Sequence, residues 1–285
     1  MRILFGLLIT VLAAACDNVV PTVTPERALS GPTLEASPTV LPFLPSAEPT
    51  MWVNQGQNDP TAAALPSGGD LPPLVIGTSD PGSAFQSIQV TSEDGTQLRG
   101  DLYPNLEGQR VPGVLMLAPG RAAWLDLPLR LQARGITVLS MDLRSEAAPD
   151  DLAAGDFRAS LVALSEAGTV DPGRIAVIGA ETGADLALAG CANNLLCDAL
   201  VMISPLNREV SLGAIPAYNP RPLFLLAGDG DALFTVADAL RGTASGPLRF
   251  EAVSGATRGT ALLLAQPALT DAVITWLEEQ LANAA

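Results

Sequence analysis

The sequence predicts an α/β fold, a mostly parallel sheet with helices packed against it, and three observations carry that expectation. From about Ala84, apolar runs of five to seven residues alternate with amphipathic segments, the pattern of repeated βα units. The runs are nearly unbroken, as strands covered on both faces require. Before them, Asp17 to Pro81 holds 12 of the 24 prolines and shows neither helical nor alternating period, so the folded part begins after it.

Taken in order, Ile88 to Thr91 and Leu98 to Tyr103 alternate about the turn Glu93-Asp94-Gly95 and predict a hairpin. Val114 to Leu117, Thr137 to Met141, Ile175 to Ile178, Leu200 to Ile203 and Leu223 to Leu226 predict buried strands. Helices are expected over Leu127 to Arg134, Ala153 to Glu166, Thr182 to Gly190, Ala232 to Arg241 and Pro267 to Leu281. The connection from Ser204 to Arg221 leaves no room for a large lid. Trp124, Trp276 and Phe250 read as packing residues, and aromatics at 4% offer no stacking platform for sugars or bases. Cys191 and Cys197 flank a short loop and predict a disulfide in an oxidising compartment, since no histidine or further nearby cysteine could complete a metal site.

Composition removes most neutral-pH chemistry. The 285 residues include no histidine, and all 15 basic residues are arginine. A proton shuttle would have to be a carboxylate, a thiol or water. Thirty acidic side chains give a net charge of −15, which speaks against nucleic acid as a partner. Nothing in the sequence requires a cofactor or metal. Asp229-Gly230-Asp231 lacks the regularly spaced continuation of a calcium loop. Arg121 reads as a solvated loop arginine or, alternatively, as a hold for an anionic ligand.

Arg2, the apolar Ile3 to Leu12 and Ala13-Ala14-Ala15 predict a secretory signal over residues 1–15. Small residues followed directly by Cys16 resemble a bacterial lipobox, which implies a lipidated Cys16; cleavage after Ala15 with a free thiol is the alternative. The expected organisation is a signal (1–15), a lipid-anchored Pro/Thr/Ser-rich linker (16–83) and one domain (84–285). The expected location is extracytoplasmic, with the membrane as partner through the anchor. Any small-molecule or protein partner is unspecified by the sequence.

Gly179-Ala180-Glu181-Thr182-Gly183 follows an apolar strand and opens a helix, the context of the G-x-S-x-G elbow, whose flanks must be small because the central residue is strained. Glutamate holds the centre. Together with Val111-Pro112-Gly113-Val114-Leu115-Met116-Leu117 and Met141-Asp142-Leu143-Arg144, the segment resembles the α/β-hydrolase superfamily, in particular its lidless dienelactone hydrolase-like esterases. That resemblance implies a doubly wound sheet of about eight strands. It also implies a serine where Glu181 stands, an acid at Asp231, a histidine where Arg258 stands, and an oxyanion hole at Ala118 and Thr182. The substituted positions suggest a domain that has lost catalysis and serves as a binding or structural module. Two alternatives stay open: a hydrolase using Glu181 as carboxylate nucleophile with Asp231, and a ligand or cation binder using the inherited pocket.

Overall fold

The computed structural model describes residues 75–76, 83–105, 107, 109–144 and 150–284. The expected signal, Cys16 and nearly all of the expected linker lie outside the described residues. The architecture below belongs to the unit Pro66–Ala285.

Nine strands form one sheet among the described residues: β1 (Val75–Ile76), β2 (Gln86–Thr91), β3 (Gln97–Tyr103), β4 (Val111–Ala118), β5 (Thr137–Asp142), β6 (Val170–Ala180), β7 (Ala199–Ile203), β8 (Leu223–Gly228) and β9 (Leu248–Val253). Their order is β1-β2-β3-β5-β4-β6-β7-β8-β9. The hairpin side is antiparallel, and β5 through β9 are parallel. The helices are α1 (Leu127–Gln132), α2 (Asp150–Glu166), α3 (Thr182–Ala192), α4 (Arg208–Tyr218), α5 (Phe234–Thr243), α6 (Ala261–Ala265) and α7 (Pro267–Asn283).

Strand periodicity builds the two layers. Val114 and Met116 face one core with Trp124, Leu131 and the α7 residues Val273 and Leu277. Leu115 and Leu117 face the other, with Phe157 of α2, Leu188 of α3 and Tyr218 of α4. The sheet is thus doubly wound, and its parallel strands are apolar on both sides because both sides are covered. Every strand and helix expected from the sequence is present. The structure adds β1, β9, α6 and α4; the last occupies the connection from Ser204 to Arg221. Asn207 starts α4 by accepting hydrogen bonds from Glu209 N and Val210 N, both at 3.1 Å.

Arginine forks tie the elements together. Arg144, just after β5, donates to Asp94 in the β2–β3 turn at 2.7 and 3.0 Å and to Asp156 of α2 at 2.6 and 2.8 Å. These bonds hold the Asp94 carboxyl well below the usual carboxylate range. The Cys191–Cys197 disulfide closes the loop after α3 with its Cα atoms 5.5 Å apart. Arg221 gathers the same loop, donating to the carbonyls of Cys191, Ala192, Asn194 and Cys197 at 2.7 to 3.2 Å. Its guanidinium also lies over the Tyr218 ring, 4.4 Å from the centroid.

Replacing Arg221 by alanine would remove a donor from four loop carbonyls, of which Cys191 O still receives Asn194 N. The variant is expected to lose about 2 to 4 kcal/mol of stability even with the disulfide intact, measured by denaturant unfolding under non-reducing conditions.

Candidate functional site

At the carboxyl edge of the parallel strands, the turns after β6, β7, β8 and β9 converge. Glu181 follows β6 with φ 55° and ψ −123°, in a region that L-residues avoid and that costs of order 1–3 kcal/mol. The ladder holds it there: Glu181 N donates to Ile203 O at 2.9 Å, and the carbonyl of Glu181 receives Ala184 N at 2.9 Å. The small flanks are a steric necessity. A Cβ on Gly179 would lie 2.3 Å from Gly183 O, and one on Gly183 would lie 2.2 Å from Leu117 O at the end of β4.

The Glu181 side chain packs on the turn after β9. A Cβ on Gly259 would come within 2.9 Å of its Cδ, and Gly259 itself has φ 59°, so only glycine fits both the backbone and the glutamate there. The carboxylate accepts no hydrogen bond among the described residues.

Asp231, in the turn after β8, has a side chain only 5% exposed. Arg258 grips it with both arms, Nη2 to Oδ1 at 2.5 Å and Nε to Oδ2 at 3.1 Å. The guanidinium hydrogen bonds hold the Asp231 carboxyl below its ordinary value, against a smaller upward push from burial. Conversely, the hydrogen bonds to Asp231, followed by that charge and the charge of Glu181, raise Arg258. The structure therefore brings Asp231 and Arg258 together and leaves Glu181 near them as an unbonded carboxylate. Asp229 plays a separate part, accepting Gly255 N at 2.9 Å.

The remaining candidates sit as follows. Thr182 is the first residue of α3. Ala118 is the last residue of β4, in register with Asp142, and Pro119 behind it has no N–H to offer. Arg121 is neither solvated alone nor free for an anion: it pairs with Asp101 at 2.8 Å and Asp142 at 2.9 Å. Its position between the ends of two strands, each bearing an aspartate, makes the carboxylates nearer partners than water.

Ser204 escaped the sequence reading. It directly follows β7 with φ 51°, is 3% exposed, and its Oγ accepts Gly259 N at 2.9 Å. The serine thus fixes the β9 turn on which Glu181 rests. The sequence carried no local signal for it: the proline after Ser204 favours extended backbone at negative φ, not the positive φ that the serine adopts.

No protein-family model matches the chain. The uncharacterized protein Rv2307c of Mycobacterium tuberculosis is 28% identical over 250 residues, covering 77% of this chain and 85% of that one. Among solved structures, α/β hydrolase GrgF from Penicillium sp. sh18 matches with a TM-score of 0.58 at 16% identity, over 70% of this chain and 99% of that one. The esterase domain of a Rhodothermus marinus protein matches with a TM-score of 0.55 at 15% identity, over 69% and 99%. The fold is that of the α/β hydrolases. On this α/β-hydrolase fold, Glu181, Asp231 and Arg258 occupy three turns of one sheet edge, where side chains from distant parts of the chain meet.

Two outcomes follow from this geometry. Gly183→Ala, which drives a Cβ into the Leu117 carbonyl, is expected to cost more than about 3 kcal/mol, whereas Gly120→Ala, which meets nothing within 4 Å, should stay within about 0.5 kcal/mol; thermal unfolding of both variants checks the contrast. Because the folded-state pKa of Asp231 is depressed, the Arg258 contribution is full above the unfolded value near 3.9 and is lost as pH falls through the folded value. The stability gap between the native chain and Arg258→Ala should therefore be wide at pH 7 and shrink progressively below about pH 4, as urea unfolding across pH would show.

Proposed function

We propose that this chain is a lipid-anchored extracytoplasmic protein whose α/β-hydrolase fold has lost serine-hydrolase chemistry and works as a binding module. The observation that carries the reading is the bidentate Arg258–Asp231 pair. In the hydrolases that the sequence resembles, a histidine stands at the Arg258 position, takes a proton from a serine and is oriented by an acid. A guanidinium stays protonated at any relevant pH, so Arg258 makes the orienting contact and can accept no proton. Glu181 replaces the serine, and the chain contains no histidine to recruit from elsewhere.

Glu181 could attack as a carboxylate, and its lack of hydrogen-bond partners favours that second reading. The resulting ester would then need base-activated water, and Arg258 cannot supply the base. The oxyanion position is weakened as well, because Pro119 follows Ala118. Anchoring rests on Arg2, the apolar Ile3 to Leu12, and Cys16 after three alanines.

Incubated with p-nitrophenyl acetate and butyrate, the full chain is expected to show no turnover above a Glu181→Ala control, and a fluorophosphonate probe should not label it. A rate abolished by Glu181→Ala would replace this reading with the carboxylate-nucleophile one. Expressed in a bacterium and fed radiolabelled palmitate, the chain should incorporate label, and Cys16→Ala should not; equal labelling would defeat the anchor.

A further inference from the structure

A cavity of about 470 Å³ opens beside the elbow, with Leu117 and Met141 of the sheet, Phe157 of α2, and Leu186 and Ala189 of α3 among its walls. That volume lies in the range of small-molecule sites. Thr182 borders it, whereas Glu181, Asp231 and Arg258 do not. The cavity is thus separate from the ion pair, and any role it has stands whether or not Glu181 turns over substrate.

The charged groups on its wall already have partners within the protein. Asp142 accepts from Arg121 N and Nη1, and Asp156 accepts from Ser92 Oγ and Arg144. Asp185 accepts from Ser211 Oγ at 2.7 Å and from the N–H groups of Leu206 and Asn207 at 3.0 and 2.9 Å. Ser160 Oγ donates to Asp156 O, and Asn207 Oδ1 caps α4 at the exposed mouth. The Thr182 hydroxyl has no partner among the described residues, and with the Asn207 side-chain amide N–H groups at the exposed mouth it is left to meet a ligand.

Charge narrows the ligand class. Among the described residues three carboxylates, Asp142, Asp156 and Asp185, share the wall with one guanidinium, that of Arg144, and burial raises the Asp185 carboxyl rather than a cation lowering it. An anionic head would meet like charge. A cationic head would have to draw a carboxylate away from its present donors. We propose that this cavity binds a neutral small molecule with an apolar chain and one hydrogen-bond acceptor, such as a ketone, ester or amide carbonyl, that receives the Thr182 hydroxyl.

The full chain would be titrated with N-phenyl-1-naphthylamine, a neutral dye that brightens in apolar surroundings, and the dye then displaced with 2-decanone, decanoate or decylamine. Saturable dye binding is expected, with the ketone competing at concentrations about tenfold lower than the acid or the amine, whose charged heads the wall disfavours. Ala189→Phe, which fills the cavity, should abolish dye binding. Thr182→Val should keep the dye while the ketone competes about threefold to tenfold more weakly than on the native chain, the equivalent of one net hydrogen bond. The proposal is overturned by absence of saturable dye binding, by unchanged binding in a folded Ala189→Phe chain, by decanoate or decylamine matching the ketone, or by an undiminished ketone affinity in Thr182→Val. If Ala189→Phe fails to fold, Thr182→Val and the competitor series decide alone. Ester turnover measured on the same samples reports on the elbow separately: a positive result there would remove the inactive-module reading and leave the cavity assignment in place.

Discussion

The close approach of Gly183 to the Leu117 carbonyl fixes most of the geometry at this sheet edge. It presses the first turn of α3 onto the end of β4, and the chain leaving β6 can turn into that helix in so short a space only if Glu181 takes a positive φ. From that one crossing, the direction of the Glu181 side chain follows. So does its seat on Gly259, and the Ser204 bond that holds the turn around Gly259 has a defined place to act. The strain at Glu181 is therefore sustained by packing on both sides of it.

Around this crossing the protein organises its charge with arginine alone. A guanidinium can satisfy two carboxylates or several carbonyls at once, and its planar fork suits contacts between separate elements. Arg121 joins the ends of β3 and β5, Arg144 joins the hairpin turn to α2, Arg221 collects the disulfide loop, and Arg258 joins the β8 and β9 turns. With twice as many acids as bases in the chain, such bridging leaves few guanidinium groups free for an external anion. That is why Arg121, which reads in the sequence as a solvated loop arginine or alternatively as an anion hold, is occupied internally.

What the sequence made legible follows the strength of its local signals. The five central strands are long apolar runs with turn residues between them, and the elbow announces itself through Gly179 and Gly183. β9 was hidden because Leu248–Val253 alternates charge with apolar residues and is half-buried at the sheet edge. α4 was hidden by Gly213 and by Pro216 inside it, although Asn207 with Glu209 gave a start signal. At the site, motif positions told which residues stand on the converging turns. They could not tell that Arg258 would commit both arms to Asp231 and leave the Glu181 carboxylate without a hydrogen bond among the described residues, because that choice depends on loop distances.

A strained residue at a strand-to-helix turn is commonly taken as a mark of catalysis, and here that inference does not follow. The strain at Glu181 is required by the β4–α3 contact, and Leu125 adopts nearly the same backbone, φ 53° and ψ −121°, on an exposed turn with no charged partner. Backbone strain shows that a fold has kept its crossing; proton transfer needs a group that changes protonation near the working pH. Among Glu181, Asp231 and Arg258, the aspartate is held ionised and the arginine is fixed as a cation, which leaves one carboxylate without a base to work with. The edge of the sheet thus holds Asp231 and Arg258 as an ion pair beside the Glu181 carboxylate, while the adjoining cavity offers apolar volume and, among the described residues, the unpartnered Thr182 hydroxyl.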